Sequence, residues 1–351
     1  MLLTSLQIEN FRNLESVSLE PAPGLNWLCG ENGAGKTSVL EAIHVLGRGR
    51  SFRAKGMGPL IRDGSPELRI VAQVEEPEGR LGVERSASGW RGRINRQACV
   101  RMSEFARMLP LVLVDPENHE LVEGSPAVRR SFLDWGLFHV EHTYLTDWKR
   151  YNRLLRQRNA ALRSRAGDEM LDALESPMAL AAAAVEMLRA QYVRALQQEL
   201  SQLQTELMFH VEHISVNYRP SASGVDAYRA KWRDTRARDL EQGFTRDGPQ
   251  RGELLIRAGN RAAAPRLSRG QMKLVALMLK LAQMGLARSA DCEPVLLLDD
   301  PVSELDRYHL DALLSWLARQ PNQAWITAVE KPAETRAAVF HVERGKIHAV
   351  V

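Results

Sequence analysis

Residues 30–37 read Gly-Glu-Asn-Gly-Ala-Gly-Lys-Thr, between an apolar run at 25–29 and a helix-forming run at 38–46. Glycines at this spacing let backbone N–H groups wrap a polyphosphate, the lysine reaches the terminal phosphates, and the threonine hydroxyl helps hold Mg²⁺. Such a loop works where a buried strand feeds a helix N-terminus, so this segment commits the chain to an α/β fold. Gly30, Glu31, Asn32, Gly33, Ala34, Gly35, Lys36, Thr37 and Ser38 are the expected nucleotide-binding residues. Alone, the loop specifies only a nucleotide.

Three further segments lie far downstream. Pro294-Val295-Leu296-Leu297-Leu298-Asp299-Asp300 reads as a buried parallel strand that delivers two carboxylates at its C-terminal end, where open α/β sheets place their ligands. Asp299 is expected to position Mg²⁺, directly or through water, and Asp300 to orient or deprotonate the attacking water. Leu267-Ser268-Arg269-Gly270-Gln271 opens a helix, and Pro301-Val302-Ser303-Glu304-Leu305-Asp306 follows the acidic pair. Singly, Ser268 is a good helix cap and an Asp-Asp strand end can simply feed a turn. In this order the segments resemble those of ABC-type ATPases. The resemblance implies that Ser268, Gly270 and Gln271 meet the γ-phosphate of ATP held by another subunit, and that residues 301–306 are the D-loop crossing the dimer interface. Two positions depart from that pattern: Asp300 stands where a Glu is usual, and Thr327-Ala328-Val329 where transporters carry a switch His. The second departure suits a slow ATPase.

The 351 residues suffice for one or two substantial cores, with 44% apolar and 26% charged residues as in a soluble globular protein. Lys and Arg outnumber Asp and Glu by only 47 to 43, a formal net charge of +4, so a nucleic-acid footprint has to be local. Two basic clusters qualify: Arg48, Arg50, Arg53 and Lys55; and Lys149, Arg150, Arg153, Arg156, Arg158, Arg163 and Arg165. Runs of this kind also serve as solvated faces. Cys29, Cys99 and Cys292 are odd in number and far apart, which argues against a disulfide framework or zinc site and for a cytoplasmic, reducing setting. Glu9 and Arg12 interrupt the first apolar stretch, and 272–286 is too short to span a bilayer, so neither a signal peptide nor a membrane segment is expected.

Along the chain, strands are expected at 4–8, 25–29, 67–75, 81–84 and 111–114. From 125 to 207 the pattern is helical: Leu188, Tyr192, Leu196, Leu200, Leu203 and Leu207 recur at spacings of three and four. The Ala-rich run 179–184 would admit a close helix neighbour. Heptads are too brief for a long coiled coil. Residues 216–259 are rich in Arg, Asp and Gly with few apolar runs, 221–224 reading as a loop and alternation resuming at 254–256. A helix at 306–319, a strand at 324–329 and a hairpin of 338–342 with 346–350 close the chain. The expected fold is α/β: a head of mixed sheet and P-loop core assembled from residues 1–120 and 211–351, with a helical lobe at 121–210 inserted.

Longer strings are more specific than any of these motifs. Ile8-Glu9-Asn10-Phe11-Arg12-Asn13, Gly49-Arg50-Ser51-Phe52-Arg53, Leu121-Val122-Glu123-Gly124-Ser125-Pro126, Arg129-Arg130-Ser131-Phe132-Leu133-Asp134 and Asp147-Trp148-Lys149-Arg150-Tyr151-Asn152 resemble, in order and essentially end to end, the RecF family of bacterial recombination mediators, relatives of SMC ATPase heads. The resemblance implies a slow, DNA-stimulated ATPase whose Mg·ATP closes a homodimer on DNA at junctions of single and double strands, near the nucleoid, for RecR, RecO and RecA loading; it also adds Arg12 to the ATP-binding set. One string departs: Gly248-Pro249-Gln250-Arg251-Gly252-Glu253 stands where the family usually carries Gly-Pro-His-Arg-x-Asp, so no role for that His carries over. Three rivals are weaker. An SMC-like structural head lacks its long heptads here, a transporter subunit lacks its switch His, and an OLD-type nuclease would need a further acidic metal-binding domain.

Phe-His-Val-Glu occurs three times, at 138–141, 209–212 and 340–343. The first falls in the helical stretch, the second at a helix-to-strand passage and the third in the closing hairpin. The first and last resemble what RecF-family chains often carry there, and the middle one does not. Read back through the genetic code the tetrapeptide can be TTC CAC GTG GAA, its own reverse complement. Codons for Leu137, Met208 and Val339 can end in TG, and those for His142 and His213 begin with CA; only Arg344 breaks the symmetry. The extended palindrome resembles partition sites bound by ParB proteins, whereas the plain alternative is a coincidental repeat of ordinary, part-buried histidines. Nothing in the sequence brings His139, His210 and His341 together as a metal site.

Overall fold

In the computed structural model, residues 2–54, 58–209, 211–330 and 337–350 are described. Lys55 of the first basic cluster and His210 of the middle tetrapeptide lie outside them. By packing, the chain divides into two units: Met1–Asn118 with Leu207–Phe209 and Ala287–Val351, and His119–Glu206 with His210–Leu286.

The first unit holds two six-stranded sheets around one helix. One sheet runs in the order Lys346–Val350, Ala338–Glu343, Leu25–Cys29, Ala324–Ala328, Val295–Leu298, Leu111–Val114. Its last five strands are mutually parallel and Lys346–Val350 is an antiparallel edge. The other sheet is antiparallel throughout, in the order Leu14–Leu19, Leu2–Phe11, Glu67–Glu75, Gly79–Ser86, Gly89–Ile94, Gln97–Cys99. Helix Lys36–Arg48 is buried on all sides, every residue except Thr37 and Arg48, as expected of a helix lying inside a core rather than on a surface. Its Val39, Leu40, Ile43 and Leu46 share one apolar cluster with Leu28 and Leu297 of the parallel sheet and with Leu6, Ile8, Ile70 and Val83 of the antiparallel one. Each such fully buried aliphatic side chain contributes about 1.5–3 kcal/mol, so the helix start is anchored from both sides.

The second unit is mainly helical: Pro126–Val140, Tyr144–Arg163, Asp168–Leu207, Val225–Gln242 and most of Arg269–Ser289, with a small sheet of Ile214–Arg219, Glu253–Ala258 and Arg261–Ala262. The 40-residue helix Asp168–Leu207 is ~60 Å long at 1.5 Å per residue, and the leucine series is buried along it. Met178, Ala179, Ala181 and Ala182 pack against Tyr151, Leu154, Tyr228 and Trp232, the close approach that small side chains permit. Among the described residues no helix is long and apolar enough to cross a membrane.

Two expectations need correction. The lobe is expected from sequence to end at 210, but residues 211–286, the Ser268 turn included, group with the helical unit. Residues 225–242 carry a helix that composition concealed: its buried face is Tyr228, Trp232, Arg236 and Asp239, at helical spacing but half polar. Arg236 meets Asp168, Asp172 and Glu175, while Asp239 meets Arg158. A face that buries ion pairs leaves no apolar periodicity to read.

Candidate nucleotide site

The loop between Leu25–Cys29 and Lys36–Arg48 is shaped by what surrounds it. Gly30 has φ 155°, and a Cβ there would overlap the carbonyl oxygen of Val342 on the neighbouring strand. Gly35 caps the helix at φ 120°, where a Cβ would come within 3.0 Å of Asn13 Nδ2 and Leu14 Cδ2. Asn13 ties the loop from the side, donating to the Gly33 carbonyl at 3.1 Å and accepting from Ser38 Oγ at 2.9 Å. Gly345 N–H donates to the Ala34 carbonyl at 2.8 Å. The Lys36 ammonium, almost wholly buried, donates to the carbonyls of Gly30 at 2.6 Å and Glu31 at 2.9 Å.

Beside it lie the two carboxylates of Asp299 and Asp300. Thr37 Oγ1 donates to Asp299 Oδ1 at 2.8 Å, and Thr327 Oγ1 donates to the same oxygen at 3.0 Å. Thr327 Oγ1 also accepts the Asp300 backbone N–H at 2.7 Å. Asp300 adopts a left-handed backbone, φ 51° and ψ 49°, which Asp tolerates better than most residues. Burial pushes the Asp299 carboxyl up; the two threonine hydroxyls and the Arg53 charge pull it back, and Asp300 adds to the rise. A hydroxyl and a carboxylate oxygen this close form a hard-oxygen pair of the kind Mg²⁺ takes alongside phosphate and water. Among the described residues no cluster of three or more His, Cys, Asp or Glu could hold a metal by itself.

A cleft of about 800 Å³ opens here, lined by Lys36, Thr37, Asp300 and Thr327 together with Arg12, Arg53, Arg62 and Asp63. Arg12 lines the cleft and is also a structural cation: Nε and Nη2 grip the buried Glu41 at 3.0 and 2.8 Å, and Nη1 donates to the Pro59 carbonyl at 3.1 Å. Ser51 Oγ donates to the same carboxylate. The cradle of amides, the buried lysine, two arginines and the Thr37–Asp299 pair fit a magnesium-bound nucleoside triphosphate. Thr327, Asn13, Glu41 and Arg53 are the residues that motif reading missed or placed elsewhere.

The Ser268 turn lies in the other unit and is described there. Ser268 N–H donates to Gln271 Oε1 at 2.9 Å and Gln271 N–H donates to Ser268 Oγ at 3.3 Å, a reciprocal capping box at the helix start. Ser268, Arg269 and Gly270 are exposed, and Arg269 reaches His119 Nε2 at 3.2 Å. The departing Gln250 accepts the Tyr151 hydroxyl, and Glu253 pairs with Arg129 at 2.7 Å.

The basic clusters divide. Arg53 lines the nucleotide cleft, and Arg158 is fully buried between Glu175 and Asp239, at 2.9 and 2.8 Å. Of these two, Arg158 is withdrawn from solvent, while Arg53 stays exposed at the cleft. Lys149, Arg153 and Arg156 are exposed along one helix face. A third basic surface was invisible in sequence: Arg69, Arg80, Arg91, Arg93 and Arg96 line a hollow on the antiparallel sheet with Glu84 its one carboxylate. Register explains it, since Arg69 and Arg91 both lie opposite Glu84 while Arg93 lies opposite Gly82.

The family model described as RecF/RecN/SMC N terminal domain matches residues 2–346. The DNA replication and repair protein RecF of Thioalkalivibrio sulfidiphilus (strain HL-EbGR7) is 37% identical over 99% of each chain. That of Pseudomonas entomophila (strain L48) is 39% identical over 99% of this chain and 98% of its own. The solved recombination mediator protein RecF-ATP of the RecFOR pathway superposes with a TM-score of 0.89 at 25% identity, covering 99% of this chain and 97% of that one. An SMC head bound to the C-winged helix domain of ScpA, at TM-score 0.60 and 15% identity over 100% of this chain and 97% of that one, shares the fold. With a matching P-loop head and full-length relatives at this identity, the chain belongs to the RecF family.

Proposed function

We propose that the chain is an ATP-dependent DNA-binding protein of recombinational repair, in which nucleotide binding closes two copies on DNA and slow hydrolysis reopens them. Mg·ATP, when bound, supplies the cleavable phosphoanhydride and the metal charge that offsets its negative oxygens. The chain's own part is positional. The N-terminal N–H groups of Lys36–Arg48 and the Lys36 ammonium hold phosphate oxygens, with Arg12 and Arg53 adding charge across the cleft. Thr37 Oγ1 and Asp299 Oδ1 present the metal-binding edge. Asp300, its backbone fixed by Thr327, is the group that orients or deprotonates water. Ser268, Gly270 and Gln271 close the site from the partner copy. The observation that carries this reading is the Thr37–Asp299–Thr327 cluster beside the buried lysine, in a chain of the RecF family.

The RecF relatives and the RecFOR-pathway likeness support action at junctions of single- and double-stranded DNA with RecR and RecO, ahead of RecA. The sheet hollow of Arg80, Arg91 and Arg93 and the helix face of Lys149, Arg153 and Arg156 are the phosphate-contacting surfaces. Sedimentation velocity with and without Mg·ATP and duplex DNA tests the closure: the species should double in mass with nucleotide, and a chain that stays monomeric at saturating Mg·ATP overturns it. DNA binding should require ATP, and reversing Arg80, Arg91 and Arg93 should flatten the salt dependence by about 0.9 in log–log slope per lost phosphate contact. Affinity that ignores both salt and nucleotide would favour the second reading, an SMC-like structural head, for which the shared fold speaks.

A further inference from the structure

The three Phe-His-Val-Glu copies take three different conformations. Residues 138–140 end helix Pro126–Val140, with Glu141 its C-cap. Phe209 follows helix Asp168–Leu207 outside any regular element. Residues 340–343 finish strand Ala338–Glu343.

The side chains share no role either. His139 is buried with its ring 4.5 Å from that of Trp135, whereas His341 is exposed on a strand. Phe209 meets His309 edge-on at 5.1 Å, and Phe340 stacks on Trp325 at 6.1 Å. Glu141 accepts from Thr143 Oγ1 at 2.8 Å, Glu212 from Arg266 at 2.5 Å, and Glu343 is exposed. Helix, coil and strand favour different residues, so folding and packing give no common reason for the same four. An exposed strand position such as 341 has no need of histidine. Family resemblance accounts for the first and last copies but not for the middle one at 209–212, and a reason common to all three has to lie outside the fold.

We infer that the coding DNA of these segments is itself a binding site, a palindrome read by a two-fold symmetric DNA-binding protein of the chromosome-partition class. The codons TTC CAC GTG GAA are self-complementary. The flanking Leu137, Met208 and Val339 permit TG before them, and His142 and His213 permit CA after them, which completes TGTTCCACGTGGAACA. Every flanking residue is compatible except Arg344, whose codons allow CG in place of CA. Two-fold symmetry in DNA mirrors two-fold symmetry in its reader, each half-site presenting the same major-groove donors and acceptors to one subunit. The first copy ends a helix and the last finishes a strand.

The gene decides first. Codons 137–142 and 208–213 should spell the palindrome or differ from it by a base or two, and scrambled codons in all three copies overturn the inference. Duplexes carrying the native codons should then be shifted by the host's purified ParB-class protein, while duplexes recoded synonymously should not. Each mismatched pair lowers the affinity of a sequence reader by roughly tenfold, so several together should reduce binding to the non-specific level. Equal affinity for native and recoded duplexes, or none for either, overturns it. Recoding leaves the polypeptide unchanged, so ATPase and repair activity remain as internal controls.

Discussion

The P-loop cleft and the Ser268 turn carry the two halves of one expected ATP site and are built in opposite ways. In the cleft nearly every polar group is already engaged within its own unit: Lys36 on two carbonyls, Asp299 on two threonines, Arg12 on Glu41. The turn engages little beyond itself, Ser268 with Gln271 and back and Arg269 with His119, and Ser268, Arg269 and Gly270 stay exposed. Preorganised dipoles cost no rearrangement when charge arrives, so the cleft is suited to bind nucleotide in one chain alone. An exposed capping box suits a surface completed by something else.

Breaking the cleft should have the largest effect. Lys36→Met removes a charged donor whose hydrogen bonds are worth about 1.5–3 kcal/mol each; nucleotide affinity should fall by ~10²-fold or more and hydrolysis should vanish, checked by calorimetric titration and phosphate release. Undiminished ATP binding would mean that the cleft is not the site. Asp300→Asn keeps the cleft and removes the base: binding should persist while turnover slows by ~10²-fold or more, trapping the dimer. Full activity would shift the base to another group.

Breaking the turn should act differently. Ser268→Arg should abolish ATP-dependent dimerisation, leave monomer nucleotide affinity unchanged, and cost the helix about 1 kcal/mol in lost capping, read from denaturant melts. If this variant still dimerises with ATP, Ser268 is a helix cap and nothing more. The smallest effect concerns pH. Because burial raises the Asp299 carboxyl, its contribution to stability is fully present below its unfolded value and is lost as pH rises through the folded one. Asp299→Asn should therefore melt slightly higher than the parent at neutral pH, with a flatter pH profile, while losing Mg²⁺-dependent hydrolysis. A variant that melts lower at neutral pH would show that the ionised carboxylate is stabilising.

Contiguous signals were legible: the P-loop and its helix, the strand ending in Asp299 and Asp300, the leucine series and the closing hairpin all carry their evidence within a few neighbouring residues. Residues that converge only through tertiary structure were not. Thr327 reads as a strand residue until the parallel register sets it beside Asp299. Arg53 sits in a basic run yet turns into the cleft, and the sheet arginines lie on different strands with nothing in one dimension to group them. Residues 14–19, 89–94 and 97–99 also went unread as strands, being short or glycine-bearing segments whose pairing partners stabilise them more than their own propensity.

The carbonyl of Val342 lying over Gly30, on a strand paired directly with Leu25–Cys29, makes this head a late-assembling one. During synthesis the P-loop strand emerges long before both of its lateral neighbours, Ala324–Ala328 and Ala338–Glu343. Until then an apolar strand waits without partners, the condition in which chains rely on chaperones and fold slowly because distant segments must meet. The shaped loop at Gly30 is therefore completed only when segments far downstream, 324–328 and 338–343, are in place beside it.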